Sequence, residues 1–373
     1  MCLLSSFRRN RRSVMSPTRV ELWFATAMLL SLAVPCRAQG IMPWELEFHG
    51  GGGFVNDPAL NGTSNLPAPG SPFTTTIGTT SRTTPSWYFG DGAALLNQVN
   101  TAVGAGASIT PLDPVLRSSL LGLPSSTSAG VRLSRAISRR FGAEVTFDYN
   151  FARWQLNNPA LAGVEASRAS FLSAFNALIA TGPHQKPAVT SSSGNADQLG
   201  RQTFTTGALI INLKTTGDLV PYVTAGAGVN LNAGNTPSVS LAGAYQFQIL
   251  GFYPVNEHDT VTAKSSVENT WVGVAGGGLK YFFSQRWGVR LDVRTYLGRR
   301  TVATSVSASP ATLTSSQLQG ATATFTTPSV QFSNNVVVGR SSLVSPVSDF
   351  RTFSGNGTQS IVNVTGGVIV RFR

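Results

Sequence analysis

GGGLKYFFSQRWGVRLDVRTYLG, residues 276–298, is the stretch whose reading decides the fold. Its second half alternates strictly, with Val289, Leu291 and Val293 set against Arg290, Asp292 and Arg294. A period of two, polar on one face, is the pattern of a β-strand. Upstream, Glu268–Phe283 (ENTWVGVAGGGLKYFF) reads as its partner, and Ser284–Trp287 supplies a tight turn. The stretch is a hairpin.

The same unit recurs toward the N-terminus. Ser128–Ser138 turns through Arg139–Gly142 into Ala143–Trp154, where Val145, Phe147, Tyr149 and Phe151 alternate with polar residues. Arg201–Lys214 turns at Thr215–Asp218 into Leu219–Leu231, with an outer face of Val223, Ala225, Ala227 and Val229. Single strands open and close the series: Pro43–Val55 (PWELEFHGGGGFV) and Ser360–Arg373 (SIVNVTGGVIVRFR). Eight strands result, near 43–55, 128–138, 143–154, 201–214, 219–231, 268–283, 288–298 and 360–373. Three tight turns alternate with four long polar connections, near 56–127, 155–200, 232–267 and 299–359.

That asymmetry points away from a compact soluble domain, where structureless loops beyond about 15 residues are uncommon. It fits a transmembrane barrel with short turns at one rim and long loops at the other. The expected fold is all-β: an eight-stranded antiparallel up-and-down transmembrane β-barrel with four long extracellular loops and short periplasmic turns. Aromatic residues near strand ends (Trp44, Tyr281, Phe283 and Trp287 at one rim, Phe151 and Trp154 at the other) suit interfacial girdles. Hydrocarbon offers no partners for backbone polar groups, so a sheet that crosses it must close.

Composition agrees. Charged residues are 12% of the chain, about half the soluble norm of roughly 25%. Outside the N-terminus no apolar run reaches the roughly 18 residues of a membrane helix. Arg8, Arg9, Arg11, Arg12 and Arg19, then the apolar stretch Leu22–Pro35 and Cys36-Arg37-Ala38, read as a secretory signal cut after Ala38. The division is therefore 1–38 signal peptide and 39–373 outer-membrane barrel domain, and Met15 is an alternative start. Losing residues 1–38 removes six Arg and one Glu and lowers the net charge from +12 to +7, which weakens a nucleic-acid reading. Cys2 and Cys36 leave with it, so no disulfide or thiolate chemistry is expected of the mature chain.

The strand PYVTAGAGVN and the hairpin at 276–298 resemble the OmpA-like and opacity-type outer-membrane barrels, and the terminal GGVIVRFR resembles that family's closing strand. The resemblance implies an outer-membrane location and a C-terminal aromatic read by the barrel-assembly machinery. Here that residue is Phe372, followed by Arg373.

Alternation points Glu45, Glu47, Glu144, Asp148 and Asp292 inward, together with Arg132, Lys280, Arg290, Arg294 and Arg371. An eight-stranded barrel is just wide enough to be filled by side chains, and unpaired buried charge costs several kcal/mol. An ionic plug is the favoured reading of this lumen charge network, and a gated ion path is the alternative. Closure of strand eight on strand one nominates Arg371 and Glu47 as partners.

Three histidines follow the signal. His49 sits on strand one, His184 in a Pro-flanked loop, and His258 between Glu257 and Asp259 in what reads as mid-loop. None has the neighbours a catalytic or metal site needs. The Gly clusters at 50–53, 226–228 and 276–278 lack a phosphate loop's Lys-Ser/Thr and suit barrel curvature. Within the loops, Asp113-Pro114 reads as a helix start, and Val164–Thr181 places Phe171, Phe175, Leu178 and Ile179 on one helical face. No cofactor, metal or catalytic residue is expected. The expected role is non-enzymatic, structural or surface-interacting, with outer-membrane lipid, assembly machinery and an unknown surface ligand as partners. The alternatives are a narrow channel for small solutes and an outer-membrane hydrolase.

Overall fold

A computed structural model describes residues 43–56, 82–117, 120–196, 201–233, 237–249, 253–312, 314–318, 321–325, 341–343 and 347–372. The strands are β1 Trp44–Asn56, β2 Arg82–Thr84, β3 Leu121–Gly122, β4 Ser126–Ala136, β5 Phe141–Asn150 and β6 Gln155–Leu156. They continue with β7 Gln185–Ala196, β8 Arg201–Asn212, β9 Leu219–Ala233, β10 Ser238–Ile249, β11 Tyr253–Val267 and β12 Thr270–Phe282. The last are β13 Trp287–Thr312, β14 Thr314–Leu318, β15 Ala321–Phe325, β16 Ser341–Leu343 and β17 Val347–Phe372. Three helices lie among them: α1 Gly90–Ala102, α2 Asp113–Leu116 and α3 Asn158–Ala180.

Eight strands close on themselves. The order β12-β9-β8-β5-β4-β1-β17-β13 is antiparallel throughout, and a β12–β13 ladder completes the ring. First and last strands zip in register, from Trp44 opposite Phe372 to Asn56 opposite Ser360. The hairpin at 276–298 pairs Phe282 with Gly288 and runs up to Val272 opposite Gly298.

The exterior is apolar. Among the described residues, every exposed large apolar side chain except Val103 lies on these eight strands or within one residue of their ends. Such a continuous belt is far larger than the patches a water-soluble monomer exposes. On β13 its members are Trp287, Val289, Leu291, Val293 and Leu297, while Arg290, Asp292 and Arg294 are buried. Charge inside and hydrocarbon outside is the reverse of a soluble sheet.

Two of the strands do not stop at the rim. β13 runs on to Thr312, and β17 begins at Val347, well before the sequence pattern suggests. Past Arg300, which is still buried, the polarity of β13 inverts: Val302, Val306 and Ala308 face inward with Thr304, and Ser305, Ser307 and Ser309 outward. That is the ordinary water-facing pattern. β11, β10 and β7 pair successively onto this extension. The connections expected to be long loops therefore contain a folded cap.

The cap has its own core. α1, α2 and α3 cover the cap sheet, burying Trp87, Phe89, Leu95, Leu116, Phe171 and Phe175 against Leu241, Tyr245 and Val261. Aromatic rings pack through it: Tyr88 stacks on Phe171 at 4.8 Å, Phe171 meets Phe175 tilted at 4.6 Å, and Phe175 stacks on Tyr245 at 4.2 Å. α3 contains the helix expected at 164–181 and starts earlier, at Asn158 with a Pro in its first turn. Asp113 does not cap its own helix. Its Oδ2 accepts from the Gly90 N–H at 3.0 Å, so it caps the first turn of α1.

Candidate functional site

The site is the barrel interior, and alternation builds it. β1 points Glu45, Glu47 and His49 inward, β4 Arg132 and Ser134, and β5 Glu144, Thr146 and Asp148. β9 and β12 contribute Tyr222 and Lys280, and β13 contributes Arg290, Asp292, Arg294 and Tyr296.

The charges stack in tiers along the axis. At the turn-side mouth, Glu45 receives Lys280 Nζ at 2.6 Å and Arg371 Nε at 2.9 Å. Above it, Arg132 Nη1 donates to Glu47 at 2.9 Å, and Arg290 Nη1 bridges Glu47 at 3.0 Å and Glu144 at 2.7 Å. Arg294 holds Glu144 at 2.6 Å and Asp292 at 2.9 Å. Tyr222 donates its hydroxyl hydrogen to Asp292 and accepts from Arg290 Nε at 2.6 Å. Highest is a trio in which Asp148 meets His49 Nε2 and accepts from the Tyr296 hydroxyl at 2.5 Å.

Each of the ten sequence-nominated residues thus lines the interior, and each carboxylate finds a donor. One pairing differs from expectation. Arg371 meets Glu45, because the β1–β17 register sets Glu45 opposite Arg371 and Glu47 opposite Ile369. Arg371 is also the most open member, with 30% of its side chain exposed at the mouth. His49 is buried in the network, and Tyr222, Thr146 and Tyr296 join it although charge alone did not single them out. Their inward alternation was the available signal.

Above the ionic tiers the interior carries an apolar cluster beside buried Asn150, Gln202, Asn230, Arg300 and Gln359. Phe204, Ala208, Val272, Val274, Tyr296 and Ile361 line it. Leu121, Leu123 and Trp154 fill it from the segments at the outer rim. That filling is held by the two-residue β3–β6 pairing and by Arg300, over the Trp154 ring at 4.3 Å. Asn157 Nδ2 also donates to Leu121 O at 3.1 Å, and its backbone N–H donates to Leu120 O at 2.9 Å. Below the tiers a vestibule of about 700 Å³ opens between the turns, lined by Arg135, Arg139, Lys214 and Lys280 among others.

No protein-family model matches this chain, and no curated protein does. Among solved structures it is similar to the outer membrane protein AlkL in lipid bilayers, at 11% identity and a TM-score of 0.34, over 91% of this chain and 95% of that one. OprG from Pseudomonas aeruginosa is similar at 8% identity and a TM-score of 0.33, over 88% and 97%. An outer membrane channel from Pseudomonas putida F1 follows at 10% identity and a TM-score of 0.20, over 91% and 99%. With overlap this low, the chain's own geometry carries the functional reading.

His258, expected in mid-loop, lies on β11 opposite Ala244 and Ala311. His184 stands just before β7, with Nδ1 2.8 Å from the Ile179 carbonyl oxygen. Among the described residues no group of His, Cys, Asp or Glu is placed to hold a metal ion.

Proposed function

We propose that this is a bacterial outer-membrane barrel that gives small apolar solutes a compartment at the cell surface while its ion-paired floor keeps ions from passing. The observation that carries this reading is the division of the lumen. Its outer half carries an apolar cluster of Phe204, Val272, Val274 and Ile361 set among buried Gln202, Asn230, Arg300 and Gln359, and its inner half is filled by the Arg–carboxylate tiers. An ion in transit would have to displace charges that already satisfy one another, at several kcal/mol each. An apolar solute would enter by displacing Trp154, over whose ring Arg300 sits at 4.3 Å, and its two leucines. The role is non-enzymatic, and the buried His49 turns its Nε2 to Asp148 within the ion-paired network. Phe372 serves assembly, and lipid covers the apolar belt.

Purified protein in planar bilayers and vesicles tests this. We expect ion conductance near the protein-free baseline, with faster entry of toluene than into empty vesicles. Trp154→Ala should speed that entry further and leave conductance unchanged. Large, stable ion conductance in the unaltered protein would overturn the reading.

A second reading rests on the cap, whose separate core would suit a surface-interaction role. Toluene entry no faster than into empty vesicles, together with absent conductance, would favour it.

A further inference from the structure

The cap buries two carboxylates in an aromatic core. Glu257 and Asp259 lie two apart on β11 and so share its inner face, exposed by 0% and 1%. Asp259 Oδ2 accepts from the Ser86 hydroxyl at 2.7 Å and from the Trp87 backbone N–H at 2.7 Å. Ser86 Oγ in turn accepts from the Tyr88 N–H at 3.0 Å. One carboxyl therefore fastens the segment 86–88, which leads straight into α1. The same segment holds α2, since Leu112 N–H donates to the Tyr88 carbonyl at 2.8 Å. Among the described residues, Asp259 Oδ1 has no hydrogen-bond partner.

We propose that Asp259 is a proton-operated latch on the cap: neutral, it holds segment 86–88 and α1 down, and ionised, it releases them. This goes beyond solute passage and does not depend on it.

The titratable groups around the latch can be named element by element. On its own strand stands Glu257, which accepts from the Tyr245 hydroxyl of β10. On the clasp stands Tyr88, whose hydroxyl meets Ser191 of β7 at 2.9 Å and whose charge environment includes Arg168 of α3. The facing stretch of β13, from Ser305 to Thr312, contains no ionisable residue, and His258 points to the opposite face of β11. A carboxylate in such surroundings loses hydration that two donors do not replace. Burial, aided by the negative charge of Glu257, pushes the Asp259 carboxyl up to about 7, against the pull of Ser86 and Trp87. An unfolded Asp titrates near 3.9. A raised acid stabilises the folded cap fully below that value, and the stabilisation is lost as pH rises toward and through about 7.

Hydrogen exchange of the full-length protein in lipid nanodiscs, corrected for intrinsic rates, reads the latch directly. Between pH 5 and pH 8 the protection of residues 84–102 should fall about tenfold or more, while that of β1 stays constant. Asp259→Asn keeps an acceptor for Ser86 and Trp87 and should be flat with pH. Glu257→Gln removes a neighbouring negative charge and should move the midpoint down. A flat unaltered protein, or equal slopes in it and Asp259→Asn, overturns the proposal. If Asp259→Asn does not fold, an unmoved midpoint in Glu257→Gln overturns it instead.

Discussion

Gly130 shows how tightly the residues of the lumen are fitted. A Cβ placed there would lie 2.3 Å from Asp148 Oδ1 and 2.6 Å from His49 Nε2, so the highest ionic tier exists because this position has no side chain. Gly130→Ala should push the two apart and destabilise by roughly 1–3 kcal/mol, measured by urea unfolding in lipid vesicles. An unchanged midpoint would mean the imidazole–carboxylate contact contributes nothing. The ion pairs divide by depth. Glu144→Gln leaves Arg290 and Arg294 short of a buried partner and should cost about 3–5 kcal/mol. Arg371 is partly solvated, so its coupling to Glu45 in a double-mutant cycle should reach only about 0.5–1 kcal/mol. Changes at Arg371 and Glu47 should add within roughly 0.5 kcal/mol; clear coupling there would contradict the register that separates them. Alternation alone told which side of each strand faces the lumen. It could not tell which charges meet, because partners across a barrel depend on the shear between strands. Arg371 found Glu45 for that reason, and Asp148 found His49 and Tyr296 instead of an arginine.

At the scale of elements, the eight barrel strands are read from the sequence and the cap strands are missed. Barrel strands advertise themselves through Val, Leu and Phe set against charge. β7 is built largely from Ser, Ala, Gly and other polar residues, whose contrast across a sheet is too weak to show a period. β10 does alternate, Val239, Leu241, Tyr245, Phe247 and Ile249 against Ser, Ala and Gln, and its period is there to be read within a connection expected to be a loop. α3 was visible because Phe171, Phe175 and Ile179 repeat at helical spacing, and these are the residues that anchor the cap core. Phe175 touches Trp87, Phe171 and Tyr245 at once. Phe175→Ala should therefore cost the cap about 3–5 kcal/mol. The barrel should not notice, because its ladder closes without any cap strand. Limited proteolysis should then remove cap fragments while the barrel keeps its heat-sensitive shift on gels. Joint loss of both would show that the two fold as one unit.

The whole molecule is set by a single reversal of polarity. β13 carries hydrocarbon outside up to about Gly298 and charge inside up to Arg300, then a mainly apolar interior from Val302 with serine outside, and the cap strands continue the second pattern. A membrane explains why one strand needs both: lipid rewards an apolar exterior, and above the bilayer water rewards the opposite. A strand crosses the hydrocarbon in about 9–11 residues, close to the run from Trp287 to Leu297. The reversal makes the cost of an outward charge depend on height. Leu291, 56% exposed and central in that run, faces the region where no water is available. Leu291→Arg should destabilise the lipid-folded protein by about 2–4 kcal/mol. Thr260 lies on the outer face of β11, above the reversal, and Thr260→Arg should stay within about 0.5 kcal/mol. Reversible urea titration in vesicles, followed by a barrel signal for Leu291→Arg and by a cap signal for Thr260→Arg, compares the two. Equal, small costs at the two positions would mean that water surrounds both, and the barrel would then not be a membrane barrel at all.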